Sequence, residues 1–304
     1  MHAHRARCGI AVFLATLAFT TLGSIYLRRQ IAGISLSTVT FRFAITTFLS
    51  YSPALASFLA RAILHDGKVD HVSIGRELLK CEKCVHPGVM SLWEFHQADD
   101  PERVAQRHNG CGAAIRATPV GIMYKSDRLD DLIRGAREAS ISTHGGSVAI
   151  AAAAATAAAA SAAIDGASAP EIIDIALRAA AQAERQWPAP TDGKFADAVR
   201  DMHRDLRRWS ELQPAEVSVR YFPNHPMTIV PLALALATVM ESADAAILLA
   251  ANVGGDSDSV ASIAGGILGA RSPGAVNDEW FAAVEQVNGH DLVSLAHDLS
   301  ILRN

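Results

Sequence analysis

The sequence of 304 residues has few aromatic side chains and little strand-like patterning, and these shortages restrict its fold class. Phe, Trp and Tyr together make up 6% of the chain. Alternation of apolar and polar residues is rare and short, which argues against a β-sandwich, whereas abundant alanine favours helices that approach one another closely. We therefore predict an all-α fold in which residues 1–304 form a single compact, multi-helix domain.

Charge is also scarce, and it is not concentrated in basic runs. Only 19% of the residues are charged, the net charge is −4, and half of the residues are apolar. Proteins that bind nucleic acid usually carry a basic patch or stripe, so we expect no nucleic-acid partner. The apolar content is ample for a buried core in a chain of this length.

Cysteine is limited to four positions, Cys8, Cys81, Cys84 and Cys111. The Cys81–Cys84 spacing is that of a metal or redox pair, but a single C-x-x-C without a second pair is weak evidence for zinc. Two separate thiols on a helix end or loop are the simpler interpretation. So few cysteines suggest a reduced chain, and we expect a cytoplasmic location.

One uncharged stretch near the N-terminus is long enough to raise the question of a membrane segment. Residues 10–27 contain no charge and follow Arg5 and Arg7, as in a signal peptide or signal anchor. Threonine, serine and glycine residues dilute the run, and no small-x-small cleavage site is clear. We expect a buried helix and no membrane partner, with an N-terminal anchor as the alternative.

Apolar spacing and capping residues predict helices along most of the chain. A glycine-rich entry at residue 109 should lead into a further helix closed by Pro119, and residues 214–226 should form an irregular connection. The other predicted helices are 9–27, 53–64, 72–84, 129–142, an alanine-rich helix ending at Ala163, 170–186, 195–212, 228–240, 242–251 and 291–302.

A glycine-rich and acidic stretch, residues 252–270, stands out from the rest. Gly254 and Gly255 allow a sharp turn. The oxygens of Asp256, Asp258 and Ser259 follow, at the start of a helix of small residues. They suit the capping of exposed N–H groups at the positive end of the helix dipole. They equally suit Mg²⁺ or Ca²⁺, which prefer hard oxygen ligands.

Two further polar positions precede helices of small residues. Asn109 could present its amide to a ligand, with the following N–H groups pointing the same way, although a capped core helix would have the same sequence. His144 stands just before the alanine-rich helix. A lone histidine is often structural, but this one lies in a loop at a helix N-terminus.

Taken together and in this order, these stretches resemble the ADP-ribosylglycohydrolase superfamily. Residues 109–121 are similar to its N-G-x-x-M-R-x-x-P-[LI]-G motif, and residues 142–144 to its S-x-x-T-H segment. Residues 254–259 and 264–270 are similar to G-G-D-[TS]-D-[TS] followed by A-G-A-L-x-G-A. The resemblance implies an all-α fold, a dinuclear Mg²⁺ or Mn²⁺ site and a ligand cleft.

The resemblance also assigns roles to individual residues. Three match positions that bind metal in the family and would do so here if a metal is bound: Asp256, Asp258 and Ser259. Asn109, Gly110 and His144 match positions that line the cleft. We add Gly255, Ser257 and Tyr51 as expected ligand contacts.

The chain departs from the family in residues 1–52. The family's [ST]-D-D-T segment should fall at Ser50–Pro53, where Tyr51 and Ser52 replace the aspartates. Its G-D-x-x-G segment should fall near residues 19–23, again without the acid. Two carboxylates are few for two divalent cations. We therefore expect that no cofactor is required, or that at most one Mg²⁺ or Mn²⁺ binds.

These residues predict an enzyme whose inherited cleft acts on a small, less polar molecule without requiring metal. Asp256, Asp258 and His144 would be its catalytic acid, base or orienting groups. Cyclisation, elimination or isomerisation needs no activated water and therefore fits better than hydrolysis. The alternatives are a metal-dependent hydrolase of ADP-ribosyl N- or O-glycosidic bonds and a non-catalytic binding protein on the same fold.

Overall fold

The computed structural model of the protein describes residues 55–80, 108–188, 194–275 and 291–303, with isolated positions at 105, 278, 281–282, 285–286 and 289. All regular structure in these residues is helical, and they contain no strand. The all-α prediction is confirmed. The predicted helix at 9–27, Tyr51 and the Cys81–Cys84 pair lie outside the described residues.

The helices are numbered here in chain order, and most begin within two residues of where the sequence predicts. Residues 55–66 are helical and are called α1. The others are α2 His71–Leu78, α3 Gly112–Ile115, α4 Thr118–Met123, α5 Leu129–Ile141, α6 Ser147–Ile164, α7 Ala169–Gln186, α8 Phe195–Leu206, α9 Pro214–Tyr221, α10 Pro226–Val239, α11 Ala243–Val253, α12 Ser257–Arg271 and α13 Leu292–Ile301.

The alanine-rich helix α6 lies at the centre of the described core. It packs against α3, α4, α5, α7, α10 and α12, and every residue from Val148 to Ile164 is buried. Among the described helices it alone is long and apolar enough to cross a membrane, but 94% of it is buried inside the protein, as expected for a core helix. Its small side chains permit close backbone contact. A Cβ added at Gly121 of α4 would lie 2.5 Å from the carbonyl oxygen of Ala157.

Arg303, which follows α13, ties this segment to the core. Its guanidinium is 4% exposed and donates to the carbonyl oxygens of Gly121, Ile122 and Tyr124 at 2.7 to 2.9 Å. It also pairs with Asp165 at 2.9 Å, just beyond the end of α6. A cation is favourable at helix C-termini because it offsets the dipole and satisfies the last carbonyl groups.

The prediction of one helix closed by Pro119 is wrong. The structure has two short helices, α3 and α4, separated by Arg116 and Ala117. Pro119 lies in the first turn of α4 rather than at the end of a helix. That position suits proline because the N–H it lacks would have no partner there in any case.

Two boundaries after residue 194 also differ from prediction. Residues 214–226 are not an irregular connection throughout, because Pro214 starts helix α9, again at a helix N-terminus. The helix that begins at Phe195 ends at Leu206 rather than at 212. Leu206 is its last buried apolar position, so the amphipathic pattern that supports the helix stops there.

Candidate functional site

The acidic stretch begins with a turn that requires glycine. Gly254 has φ 87° and Gly255 has φ 60°, in the left-handed region that side chains other than glycine rarely adopt. A Cβ at Gly255 would lie 2.4 Å from the carbonyl oxygen of Pro223. That same oxygen accepts a hydrogen bond of 2.7 Å from the N–H of Asp256. The turn therefore fixes Asp256 at the start of α12.

Asp256 joins two of the predicted motifs. The hydroxyl of Ser259 donates to Asp256 Oδ1 at 2.6 Å, and the thiol of Cys111 donates to Oδ2 at 2.9 Å. Cys111 Sγ also lies 3.6 Å from Ser259 Oγ. Cys111 and Asp256 are 145 residues apart in the chain. The glycine-rich loop before α3 and the acidic turn before α12 thus form one cluster.

The second carboxyl group of the cluster, Asp258, is half-buried beside Asp256. Burial, followed by the negative charge of Asp256 and a hydrogen bond with that residue, raises the pKa of Asp258 from 3.8 to about 8. The N–H groups of Asp258 and Ser259 point to this carboxyl and offset part of the effect. Asp258 therefore carries a proton over much of the neutral range, which Asp256 accepts in a hydrogen bond.

Cys111 shares this environment. Burial, then the charge of Asp256, raises the pKa of the Cys111 thiol well above its usual range. The thiol is consequently protonated at neutral pH and acts as a hydrogen-bond donor, not as a nucleophile. Sequence reasoning missed Cys111, because it occupies one of the unspecified positions of the motif between residues 109 and 121.

The simple helix cap expected of Asp256 is not formed. Asp256 occupies the N-cap position of α12, but its side chain accepts no hydrogen bond from the backbone of that helix. Its oxygens are used by Ser259 and Cys111 instead. Ser259 is buried, whereas Ser257 is half-buried and Gly255 is exposed at the outer side of the turn.

Asn109 is a cap, although for a helix distant in sequence. Its Oδ1 accepts from the N–H groups of Val148 at 3.1 Å and Ala149 at 3.3 Å, in the first turn of α6. Gly146 leaves room for this contact, since a Cβ there would lie 2.0 Å from the same oxygen. The amide oxygen thus has a structural partner, and the ligand contact expected of Asn109 stays a prediction.

His144 is buried against the same glycine-rich loop. The imidazole ring packs against two glycines of this loop. A Cβ at Gly110 would lie 2.8 Å from Nε2, and one at Gly112 would lie 3.0 Å from Cε1. His144 is 3% exposed, and its Nδ1 is 2.8 Å from the hydroxyl oxygen of Thr143. Glycine is therefore needed at position 110 to accommodate the imidazole ring, and the ligand contact expected of Gly110 stays a prediction.

Arg116 is a fully buried cation that contacts Thr143, the residue before His144. It donates to the carbonyl oxygens of Ala139 at 3.0 Å and Ser140 at 3.2 Å, at the end of α5, and to Thr143 Oγ1. The sequence assigned Arg116 no role beyond its place in the motif. An arginine within a long run of small and apolar residues is the signal that could have identified it, because a buried charge needs partners.

The donors of the cluster are of the kind that could hold a hard cation. Two carboxyl groups and a hydroxyl group lie within four residues, and Mg²⁺ is commonly held by one or two carboxylates together with water or substrate oxygens. Within the ranges that the structure describes, no group of three or more His, Cys, Asp and Glu side chains has the arrangement of a metal site. Two adjacent divalent cations would need further anionic ligands to offset their charge.

A separate surface groove of about 700 Å³ lies between the end of α8 and helix α9. It contains none of the predicted site residues. Its lining consists of Arg208, Trp209, Ser210, Glu211, Ala215, Glu216, Val219 and Arg220. The convergence of polar groups at Asp256, and not this groove, therefore marks the candidate site.

Comparison with known proteins defines the class. The protein-family model described as ADP-ribosylglycohydrolase matches residues 54–304. The chain belongs to this family. An uncharacterized protein of Escherichia coli (strain K12), YegU, is 29% identical over 265 residues, which cover 82% of this chain and 79% of that protein. A solved structure entitled ADP-ribosylglycohydrolase-related protein complex matches with a TM-score of 0.72, at 20% identity over 99% of both chains, and shows the shared fold.

The matched residues include all three motifs on which the family resemblance rests, at 109–121, 142–144 and 254–270. The match begins at residue 54. The positions where we expect the altered first half of the metal site, near 19–23 and at 50–53, precede it.

Proposed function

We propose that the protein is an enzyme that transforms a small molecule at the cluster of Asp256 and Asp258. The observation that supports it is the contact between Cys111 and Asp256, which brings the family's glycine-rich loop against its acidic turn. A carboxyl pair, a thiol and a hydroxyl group converge there, and His144 packs against the same glycine-rich loop.

The chemistry of the pair is that of an acid and a base in contact. Asp258 holds a proton near neutral pH, and Asp256 accepts hydrogen bonds from its neighbours. Such a pair can give a proton to one atom of a substrate and take one from another. Cyclisation, elimination or isomerisation of a small molecule less polar than an ADP-ribosyl group would use this pair without a cofactor.

A library of small metabolites, with mass-spectrometric detection of substrate loss and product formation, tests this proposal. Asp256→Asn and His144→Gln should each lower the rate of any conversion found, by about a hundredfold or more for a group that transfers protons. Asp174→Asn is a matched control, because that carboxylate is 66% exposed on α7. Full activity in both site variants would refute the proposed roles.

A second candidate is a metal-dependent hydrolase of ADP-ribosyl N- or O-glycosidic bonds. Family membership and the three adjacent oxygen donors of Asp256, Asp258 and Ser259 favour it. These residues would hold one Mg²⁺ or Mn²⁺, which when bound acts as a Lewis acid and lowers the pKa of its water. Asp256 and Asp258 would supply carboxylate oxygens to the cation, and the buried Ser259 hydroxyl, which donates to Asp256, would keep that carboxylate in position.

A direct assay distinguishes the two candidate functions. ADP-ribosylated protein and small ADP-ribose derivatives are incubated with Mg²⁺ or Mn²⁺, or with EDTA, and released ADP-ribose is measured. Release that requires the metal and is lost in Asp258→Asn supports the hydrolase. Metal-independent conversion of another small molecule supports the first proposal. Ligand-induced thermal stabilisation without turnover in either assay indicates a binding protein.

A further inference from the structure

The outer face of helix α9 is apolar, although it faces water. Val219 is 90% exposed, and Ala215, four residues earlier, is exposed as well. Residues four apart lie on the same side of a helix, so these two form an apolar stripe directed to solvent. Val217 is the one buried residue of α9. A single exposed valine would be ordinary, but this stripe also lines the surface groove between the end of α8 and α9.

Contacts between the two helices fix the shape of this groove. The hydroxyl of Tyr221 and the guanidinium of Arg220 both donate to Asp205 Oδ2, at 2.8 Å and 3.2 Å. The same guanidinium lies over the ring of Trp209, 5.8 Å from its centre. The groove is therefore formed before a partner binds, which lowers the cost of ordering it on association.

The groove also carries charges of both signs that are left unmatched. Arg208, Glu211 and Glu216 line it and are exposed. Among the residues that the structure describes, none of these three side chains takes part in an ion pair. Glu216 has the helical spacing to pair with Arg220, but that guanidinium pairs with Asp205 instead. A partner that matches the groove must therefore offer an apolar side chain together with charges of both signs.

We propose that a second copy of this chain docks on the groove and forms a two-fold symmetric dimer. In such an interface the same surface meets itself, so a surface that contains both members of each pair is its own complement. With the two α9 helices antiparallel, Val219 of each copy would lie over the small Ala215 of the other. Arg208 of each copy would face Glu211 and Glu216 of the other.

Other kinds of partner match the groove less well. A polyanion such as nucleic acid would be repelled by Glu211 and Glu216, and a uniformly basic surface would be repelled by Arg208. Eight residues line the groove, fewer than the roughly 20–30 on each side of a standard interface. We therefore expect a weak dimer with a dissociation constant in the micromolar range or above. No candidate site residue lines the groove, so the dimer does not depend on the proposed function.

Sedimentation equilibrium of the full chain, from about 1 µM to about 1 mM, tests the proposal. The wild-type protein should pass from monomer to dimer over this range. Val219→Asp should raise the dissociation constant at least about tenfold, because it places a carboxylate in the apolar contact. Ile301→Asp is the matched control, since Ile301 is 70% exposed on α13 and lies outside the groove, and it should change nothing. Circular dichroism checks that both variants fold.

A charge exchange tests the symmetry of the interface. Arg208→Glu alone, and Glu211→Arg with Glu216→Arg in one chain, should each weaken self-association about tenfold or more, because like charges then face each other. An equimolar mixture of these two variants should recover dimers, since each copy then offers the charges that the other lacks.

Three results would overturn the proposal. The first is a wild-type protein that stays monomeric throughout, which would leave the groove to a different partner. The second is a dimer that Val219→Asp weakens no more than Ile301→Asp does. The third is a mixture of the charge variants that associates no better than either variant alone.

Discussion

Substitution of Asp258 by asparagine should make the protein more stable at alkaline pH and leave it nearly unchanged at acidic pH. Asparagine has the shape of the protonated carboxyl group and, like it, can donate a hydrogen bond to Asp256. The variant therefore mimics the form that the folded state prefers. The wild-type carboxyl group must instead lose its proton, inside the cluster, as the pH rises.

The magnitude follows from the two pKa values of Asp258. Its pKa is 3.8 when unperturbed and about 8 in the folded protein. Between these values the folded state binds more protons than the unfolded state, so the free energy of unfolding falls as the pH rises. The slope is about 1.4 kcal/mol for each pH unit within this window, and it vanishes below and above it. Even a third of this slope gives more than ~1 kcal/mol between pH 5 and pH 8.

Urea denaturation at several pH values from 5 to 9, in buffer with EDTA, measures the effect. EDTA is needed because a bound cation would favour the ionised carboxyl group. The difference in unfolding free energy between Asp258→Asn and wild type should grow with pH up to about 8 and then level off. Asp174→Asn, at a site 66% exposed, should show no such growth. A constant difference across the pH range would refute the reasoning.

Three other substitutions test the packing around α6 by thermal and urea unfolding. Gly121→Ala should destabilise by ~1–2 kcal/mol, because the clash with α6 outweighs the better helix propensity of alanine, whereas Gly274→Ala, in open space, should be near neutral. Arg303→Lys should lower the free energy of unfolding by about 3 kcal/mol, since one ammonium cannot replace a guanidinium that donates to several carbonyl groups and to Asp165. Asn109→Ala should cost ~1 kcal/mol, while Asn109→Asp, which keeps the accepting oxygen, should not. Equal effects of Gly121→Ala and Gly274→Ala, equal effects of the two Asn109 variants, or a neutral Arg303→Lys would each contradict the assigned contacts.

The helices were predictable where a local signal marks them. Gly67 ends α1 with φ 66° and donates to Ile63, as a C-terminal glycine should. Ser168 and Glu171 form a capping box at the start of α7. The break between α3 and α4 has no such signal, because residues 112–118 are mostly small helix formers. It coincides with Arg116, whose side chain reaches the end of α5, a tertiary contact that local propensity does not encode.

The candidate site was predictable as separate motifs but not as an assembly. The order of the motifs indicated the family, and Asp256, Asp258 and Ser259 do lie together because they share one turn. The contact between Cys111 and Asp256 spans 145 residues, and no periodicity in the sequence implies it. The capping of α6 by Asn109 is equally non-local. These contacts are set by how α6 and α12 pack, which only the fold supplies.

The loop of residues 109–112 connects these separate parts of the site and should couple them energetically. Asn109 caps α6, the glycines at 110 and 112 accommodate the ring of His144, and Cys111 donates to Asp256. A substitution that alters a contact on one side of this short loop should shift the loop backbone and so alter the contacts on its other side.

A double-mutant cycle measures this coupling. Cys111→Ala and His144→Gln touch opposite sides of the loop, and residues that share such a backbone typically show interaction energies of about 0.5–3 kcal/mol. We therefore expect their effects on unfolding free energy to be non-additive. His144→Gln combined with Asp174→Asn, which is exposed on α7, should be additive within ~0.5 kcal/mol. Additivity in both cycles would mean that the loop does not transmit the state of Asp256 to His144. The cluster and the imidazole would then act on a ligand independently.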